Sequence, residues 1–158
     1  MAGSTARTDA IERAPVRPAF SWRLRVYWED TDAGGVVYHA GYLRFLERAR
    51  TEWLRARGLG QTELREQRGV LFVVREITVA YEKPARLDDE LEADVVLMQR
   101  RSASLLLQHA LRRVRDGEIL TRASVRVACV DARDWQPRRI PEAITHLIEG
   151  NCKESPDR

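Results

Sequence analysis

The chain has 158 residues, 44% of them apolar, which is enough for one domain with a single core and too little for two comfortable ones. No apolar run approaches the roughly 20 residues that cross a bilayer, and residues 1–20 hold no continuous apolar stretch of the secretory-signal kind, so the expected location is the cytoplasm. The formal net charge of +3 rests on 27 basic residues, all arginine except Lys83 and Lys153, spread along the chain instead of clustered among aromatics, so nucleic-acid binding is not expected.

Cys129 and Cys152 lie far apart and form no C-x-x-C pair, while His39, His109 and His146 occur singly. Neither a disulfide nor a metal site is expected from such spacing.

Residues 1–20 combine Pro15 and Pro18 with small and charged side chains and read as a flexible leader. From there one domain is expected over 21–150, followed by a polar tail over 151–158. Trp22, Leu24, Val26 and Trp28 alternate with Arg23, Arg25 and Tyr27, the period of a half-buried strand. Tyr42, Phe45, Leu46, Ala49 and Trp53 then share one face of a helix, opposite Arg44, Arg48, Thr51 and Arg55. That helix is expected over roughly 40–57, with Gly58 as its stop and a shorter polar helix over 61–67.

Strands follow. The β-branched run Val70–Tyr81 ends at Lys83-Pro84, because proline cannot continue a ladder. Leu91, Ala93, Val95 and Leu97 alternate with Glu92 and Asp94, and Leu105, Leu107, His109 and Leu111 with Ser104, Gln108 and Arg112, giving each strand a wet and a dry face. Asp116-Gly117 predicts a two-residue hairpin turn, after which Ala123, Val125, Val127 and Cys129 point inward; Pro141–Glu149 predicts a short closing helix. A helix with one apolar stripe needs a sheet to cover it, so a five-stranded antiparallel sheet curled around the single long helix is the economical α+β arrangement.

Between the first strand and the helix stand Asp30 and Asp32, then Ala33-Gly34-Gly35 and Val36-Val37-Tyr38-His39. Glycines let backbone approach a ligand closely, and a helix starting near His39 or Ala40 offers unpaired N–H groups and a partial positive end, suited to a carbonyl oxygen becoming an oxyanion. Aspartate before a glycine pair is equally an ordinary Asx turn, so the residues alone leave both roles open for Asp32. Asp30 is expected to bond turn amides. Phe72, Val73 and Val74, at the start of the strand after the helix, are candidates to line a pocket for the apolar part of a ligand.

The segment EDTDAGGVVYHAGYLRFLERAR resembles the signature of the YbgC-type branch of the 4-hydroxybenzoyl-CoA thioesterases, which have the hotdog fold. LFVVREITVAYEKPARLDDEL and ASVRVACVD are also similar to this branch, so the resemblance extends over roughly 24–141. It implies hydrolysis of an acyl thioester of coenzyme A, with Asp32 of the D-x-x-G segment, which ends at Gly35, as nucleophile or general base. Backbone N–H groups near Tyr38 and His39 would polarise the thioester carbonyl, and the His39 ring would hold the loop or touch substrate. The resemblance further implies a site at a dimer interface, dimers or tetramers, and contact of Arg100 and Arg101 with the nucleotide end of coenzyme A. No cofactor is implied beyond the coenzyme A of the substrate, and acyl carrier protein is a possible alternative carrier. Glu47 matters because another hotdog lineage uses a helix glutamate; here its place in the sequence puts it on the flank of the helix. The rival reading is a non-catalytic component that binds acyl-CoA or acyl carrier protein in an envelope-associated assembly; a hotdog dehydratase would need a different histidine and acid pair.

Overall fold

The structure, a computed structural model, describes residues 20–150. The expected leader, except Phe20, and the expected tail with Cys152 lie outside the described residues. Five strands, β1 (Phe20–Arg25), β2 (Val70–Tyr81), β3 (Glu90–Arg100), β4 (Ser104–Arg113) and β5 (Ile119–Asp131), form one antiparallel sheet in the order β1-β3-β4-β5-β2. The long helix α1 (Gly41–Arg55) lies in the hollow of this sheet, with the shorter helices α2 (Gln61–Glu66) and α3 (Glu142–Glu149). This is the hotdog arrangement.

The stripe of α1 is buried as its period requires: Tyr42, Phe45, Leu46, Ala49 and Trp53 all have at most 4% of their surface exposed. Tyr42, Phe45, Ala49 and Trp53 meet inward residues of β3, β4 and β5, among them Leu91, Val95, Leu107, Leu111, Val125 and Cys129, in one continuous core. Burial of the apolar stripe, more than helix propensity, holds α1 in place. The Cys129 thiol is inside this core, and burial pushes its pKa up to about 11.

Three local expectations are corrected. Trp28 does not continue β1: the strand ends at Arg25 and Trp28, 80% exposed, begins a 3-10 turn (Trp28–Asp30). The Asp30 carboxylate causes this, accepting the Tyr27 N–H at 2.9 Å. Asp94 lies on the face expected to be wet yet is buried, accepting from Ser21 Oγ at 2.6 Å and from Arg112 Nη2 at 2.9 Å. Burial raises its pKa, with these two partners pulling the other way. The Asp116-Gly117 hairpin is also longer than two residues. Gly117 N–H donates to Arg113 O at 2.8 Å and Arg113 N–H to Glu118 O at 2.9 Å, so four residues make the turn. Gly117 has φ of 70° and Asp116 is not in the left-handed region.

The strand order leaves β2 with one edge unpaired along twelve residues. It spans the sheet lengthwise. Its last residue, Tyr81, reaches the N-terminal end of α1, where the Tyr81 hydroxyl donates to His39 O at 2.8 Å. Its first residue, Val70, pairs with Asp131 at the opposite end of the sheet.

Candidate active site

The motif between β1 and α1 folds as a tiny hairpin. Asp32 N–H donates to Val36 O at 2.9 Å and Gly35 N–H to Asp32 O at 3.0 Å. Gly35 has φ of 77°, a conformation that L side chains rarely adopt. Gly34 is needed for a different reason: its N–H donates to Asp32 Oδ1 at 2.8 Å, and a Cβ there would sit 3.0 Å from that same oxygen. Asp32 therefore does make an Asx turn, through one carboxylate oxygen. Its other oxygen has no hydrogen-bond partner among the described residues.

Beyond the hairpin the chain is tied down on both sides. Val37 N–H donates to Ala85 O at 2.9 Å, and Tyr38 N–H donates to Asp30 O at 3.0 Å. The second bond corrects one expectation, because the Tyr38 N–H is consumed in holding the loop. The N–H groups of His39 and Ala40, next in line at the start of α1, donate to no described acceptor. Asp30 is structural through both its carboxylate and its carbonyl.

Asp32 and His39 open onto a cleft of about 330 Å³ whose walls include Tyr42, Tyr81 and Lys83. The His39 ring stands against the Tyr38 ring, with centroids 4.3 Å apart, while its carbonyl takes the Tyr81 hydroxyl. Tyr42 lies beneath, its ring 5.4 Å from that of Tyr81. Its hydroxyl accepts the buried Ala85 N–H at 3.0 Å, and burial raises its pKa. Tyr42→Phe should leave the Ala85 donor without a partner and destabilise the fold by about 1–3 kcal/mol, readable as a lowered urea midpoint at unchanged slope. Tyr81 and Lys83 join the site through the fold alone, because strand periodicity says nothing of which strand end meets the helix.

The other expected site residues are elsewhere. A second cleft, of about 80 Å³, lies on the flank of α1 and is lined by Arg50, Thr51, Gln61, Phe72, Val74 and Leu107 with their neighbours. Phe72 and Val74 pair with Cys129 and Val127 and share their inward face, whereas the intervening Val73 pairs with Ala128 and points to the opposite face. Val73 therefore does not line the cleft. Arg100 and Arg101 stand at the β3–β4 turn, at the end of the sheet remote from Asp32; Arg100 pairs with Glu149. The Asp32 cleft and the Phe72 cleft share no residue.

Beneath the second cleft is a polar contact between His109, which strand alternation places on the dry face of β4, and Arg50 of α1. His109, 2% exposed, approaches the Asp94 carbonyl through Nδ1 at 3.0 Å, and its Nε2 faces Arg50 Nη1 at 3.5 Å. The arrangement suits a neutral ring with its proton on Nδ1. Burial first, then the Arg50 charge, push the His109 pKa down to about 3. Because the folded value is depressed, the unfolded chain takes up the proton first, so this contribution to stability is complete above about pH 6.5 and drains away as pH falls toward 3. His109→Gln should flatten the loss of stability between about pH 6 and pH 4, where this one group contributes on the order of 1 kcal/mol per pH unit. Parallel denaturation curves at several pH values check this, and identical pH slopes for the two proteins would contradict it.

A carboxylate on a glycine turn beside free N–H groups at a helix start, on a sheet wrapped around that helix, defines a hotdog protein of the thioesterase class. Residues 26–148 match the Thioesterase-like superfamily. The chain is 48% identical over 125 residues to the acyl-CoA thioester hydrolase YbgC of Escherichia coli O6:H1, covering 79% of this chain and 92% of that protein. It is 43% identical to the acyl-CoA thioesterase YbgC of Haemophilus influenzae, covering 79% and 90%. A probable thioesterase from Bartonella henselae superposes with a TM-score of 0.72 at 33% identity, over 77% of this chain and 98% of that one. The chain belongs to the thioesterase-like superfamily, in its YbgC acyl-CoA thioesterase branch.

Proposed function

We propose that the protein hydrolyses an acyl thioester of coenzyme A to the free acid and the thiol, with Asp32 as the catalytic carboxylate. The observation that carries this reading is the geometry of Asp32: one oxygen is pinned by the Gly34 N–H and the other is left without a partner in an open cleft. Pinning one oxygen fixes the direction of the other without neutralising it. The free oxygen either attacks the thioester carbonyl carbon, giving a mixed anhydride and releasing thiolate, or takes a proton from a water that attacks the same carbon. In both routes negative charge grows on the carbonyl oxygen, and the N–H groups of His39 and Ala40 are the available donors for it. The His39 ring has a positioning role.

The active unit in this proposal is a dimer. β2 exposes one edge of unpaired backbone over its whole length, and Val74 and Tyr81 on it are about half exposed. Such an edge is a template for another strand, and two copies paired about a two-fold axis cover both edges at once. A dimer of dimers is compatible with this contact. Acyl-CoA is the substrate supported best by the family, and an acyl carrier protein would present the same thioester.

Release of free thiol from a panel of acyl-CoAs, aliphatic and aromatic, tests the reading against that of a binding component. Catalytic turnover is expected with at least one member of the panel. Saturable binding with no thiol release from any member would overturn it.

A further inference from the structure

The Asp32 cleft is built from the end of β2 and the Phe72 cleft from its beginning. Val74 and Tyr81 are seven residues apart in sequence, roughly 23 Å along a strand, too far for one short acyl group to reach from one cleft to the other within a protomer. A two-fold axis through the middle of β2 removes that separation. In the β2 dimer proposed above it would set Tyr81 of one protomer beside the first residues of the partner's β2 and bring the Asp32 cleft of one chain toward the Arg50 cleft of the other.

That second cleft has an apolar floor and one polar end. Phe72, Val74 and Leu107 supply the floor, and Arg50 supplies donors that the protein itself leaves largely unused. Among the described residues Arg50 makes no salt bridge, and its contact with His109 Nε2 is long at 3.5 Å. The acid whose charge it feels is Glu47, at the exposed rim, which accepts from Thr51 Oγ1 at 2.8 Å. A guanidinium has donors only, so its complement in a ligand is an oxygen. Glu47 beside it disfavours a second carboxylate and can accept the proton of a hydroxyl.

We infer that Arg50, oriented by His109, is the specificity-determining residue at the far end of an acyl pocket contributed in trans, and that it favours acyl groups bearing a distal hydroxyl or oxo oxygen over plain alkyl ones. The inference rests on the catalytic reading of Asp32 and on the β2 dimer. His109 is a positioning residue: it meets no substrate and acts through the direction it gives Arg50.

The test is the ratio of kcat/KM for 6-hydroxyhexanoyl-CoA to that for hexanoyl-CoA. Arg50→Met should lower this ratio by at least about 10-fold, the loss expected for a hydrogen bond from a charged donor. His109→Gln, which keeps an acceptor beside Arg50, should retain most of the ratio, and His109→Leu should not. Equal falls on both substrates, or an unchanged ratio in Arg50→Met, would overturn the inference. Should Arg50→Met fail to fold, Arg50→Lys carries the same comparison with a smaller expected fall.

Co-expression of Asp32→Asn with Arg50→Met chains tests the trans arrangement. Half of the dimers are then hybrids, each with one intact composite site, so about a quarter of wild-type activity on the hydroxylated substrate should return. Activity no higher than the sum of the two parent variants would place both groups in one chain and overturn the proposal. The catalytic reading fails separately, if Asp32→Asn alone still releases thiol from hexanoyl-CoA at the wild-type rate.

Discussion

Asp32→Asn should lower turnover of acyl-CoA by at least about 10²-fold while leaving the fold intact. The substitution keeps an oxygen that can accept the Gly34 N–H, now at 2.8 Å from Asp32 Oδ1, so the Asx turn and the close packing of Gly34 survive. What disappears is the negative charge on the unpartnered oxygen. An amide neither attacks a thioester as a carboxylate does nor accepts a proton from water, so both chemical routes lose their reagent together. Substrate binding should change little, because the donors at His39 and Ala40 and the walls at Tyr42, Tyr81 and Lys83 are untouched. A large fall in kcat with KM nearly constant is the expected pattern.

Phe45→Ala should cost about 3–5 kcal/mol of stability, the range for deleting a fully buried aromatic ring. Phe45 has 0% exposure and lies on the α1 stripe that the sheet encloses. Its ring meets that of Tyr42 edge-on at 6.2 Å, so its loss also loosens the residue that accepts the Ala85 N–H beside the site. Guanidinium denaturation should show the loss in the midpoint, with catalytic activity per folded molecule reduced as well. A change below about 1 kcal/mol would mean that α1 is not the element on which the sheet packs.

The elements that sequence reading placed best are those with an unbroken period. The stripe from Tyr42 to Trp53 holds because it has one sheet to satisfy, whereas in β4 the inward residues Leu105, Leu107, His109 and Leu111 are placed correctly but the wet face is not, since Gln108 is only 7% exposed. Trp28 failed because alternation continues in sequence past the point where the Asp30 carboxylate turns the chain. Asp94 looked solvated because its partners are remote: Arg112 is 18 residues away and Ser21 is 73. Asp116-Gly117 carries a hairpin signal, but the bonds from Arg113 that fix the loop length are invisible locally.

In the candidate site, the acid and its glycines were legible from spacing, and the resemblance sharpened them. Which amides remain free was not. Tyr38 and His39 are adjacent in sequence, yet only the fold brings the Asp30 carbonyl to Tyr38 and leaves His39 open. Phe72, Val73 and Val74 could have been separated by the two-residue period of a strand, since Val73 must face away from its neighbours. The contact of Arg50 with His109 spans 59 residues and joins a helix to a strand, so no local pattern reports it.

The most direct measurement compares two aspartates of one short loop. Free-thiol release at saturating acyl-CoA should be followed for the wild type, Asp32→Asn and Asp30→Asn, with thermal denaturation to show that each is folded. Asp32→Asn should lose at least about 10²-fold in kcat without losing stability. Asp30→Asn, whose native carboxylate serves the Tyr27 N–H, should instead lose stability first and retain turnover in its folded fraction. Turnover by Asp32→Asn within a few-fold of the wild type would mean that Asp32 is not the catalytic carboxylate.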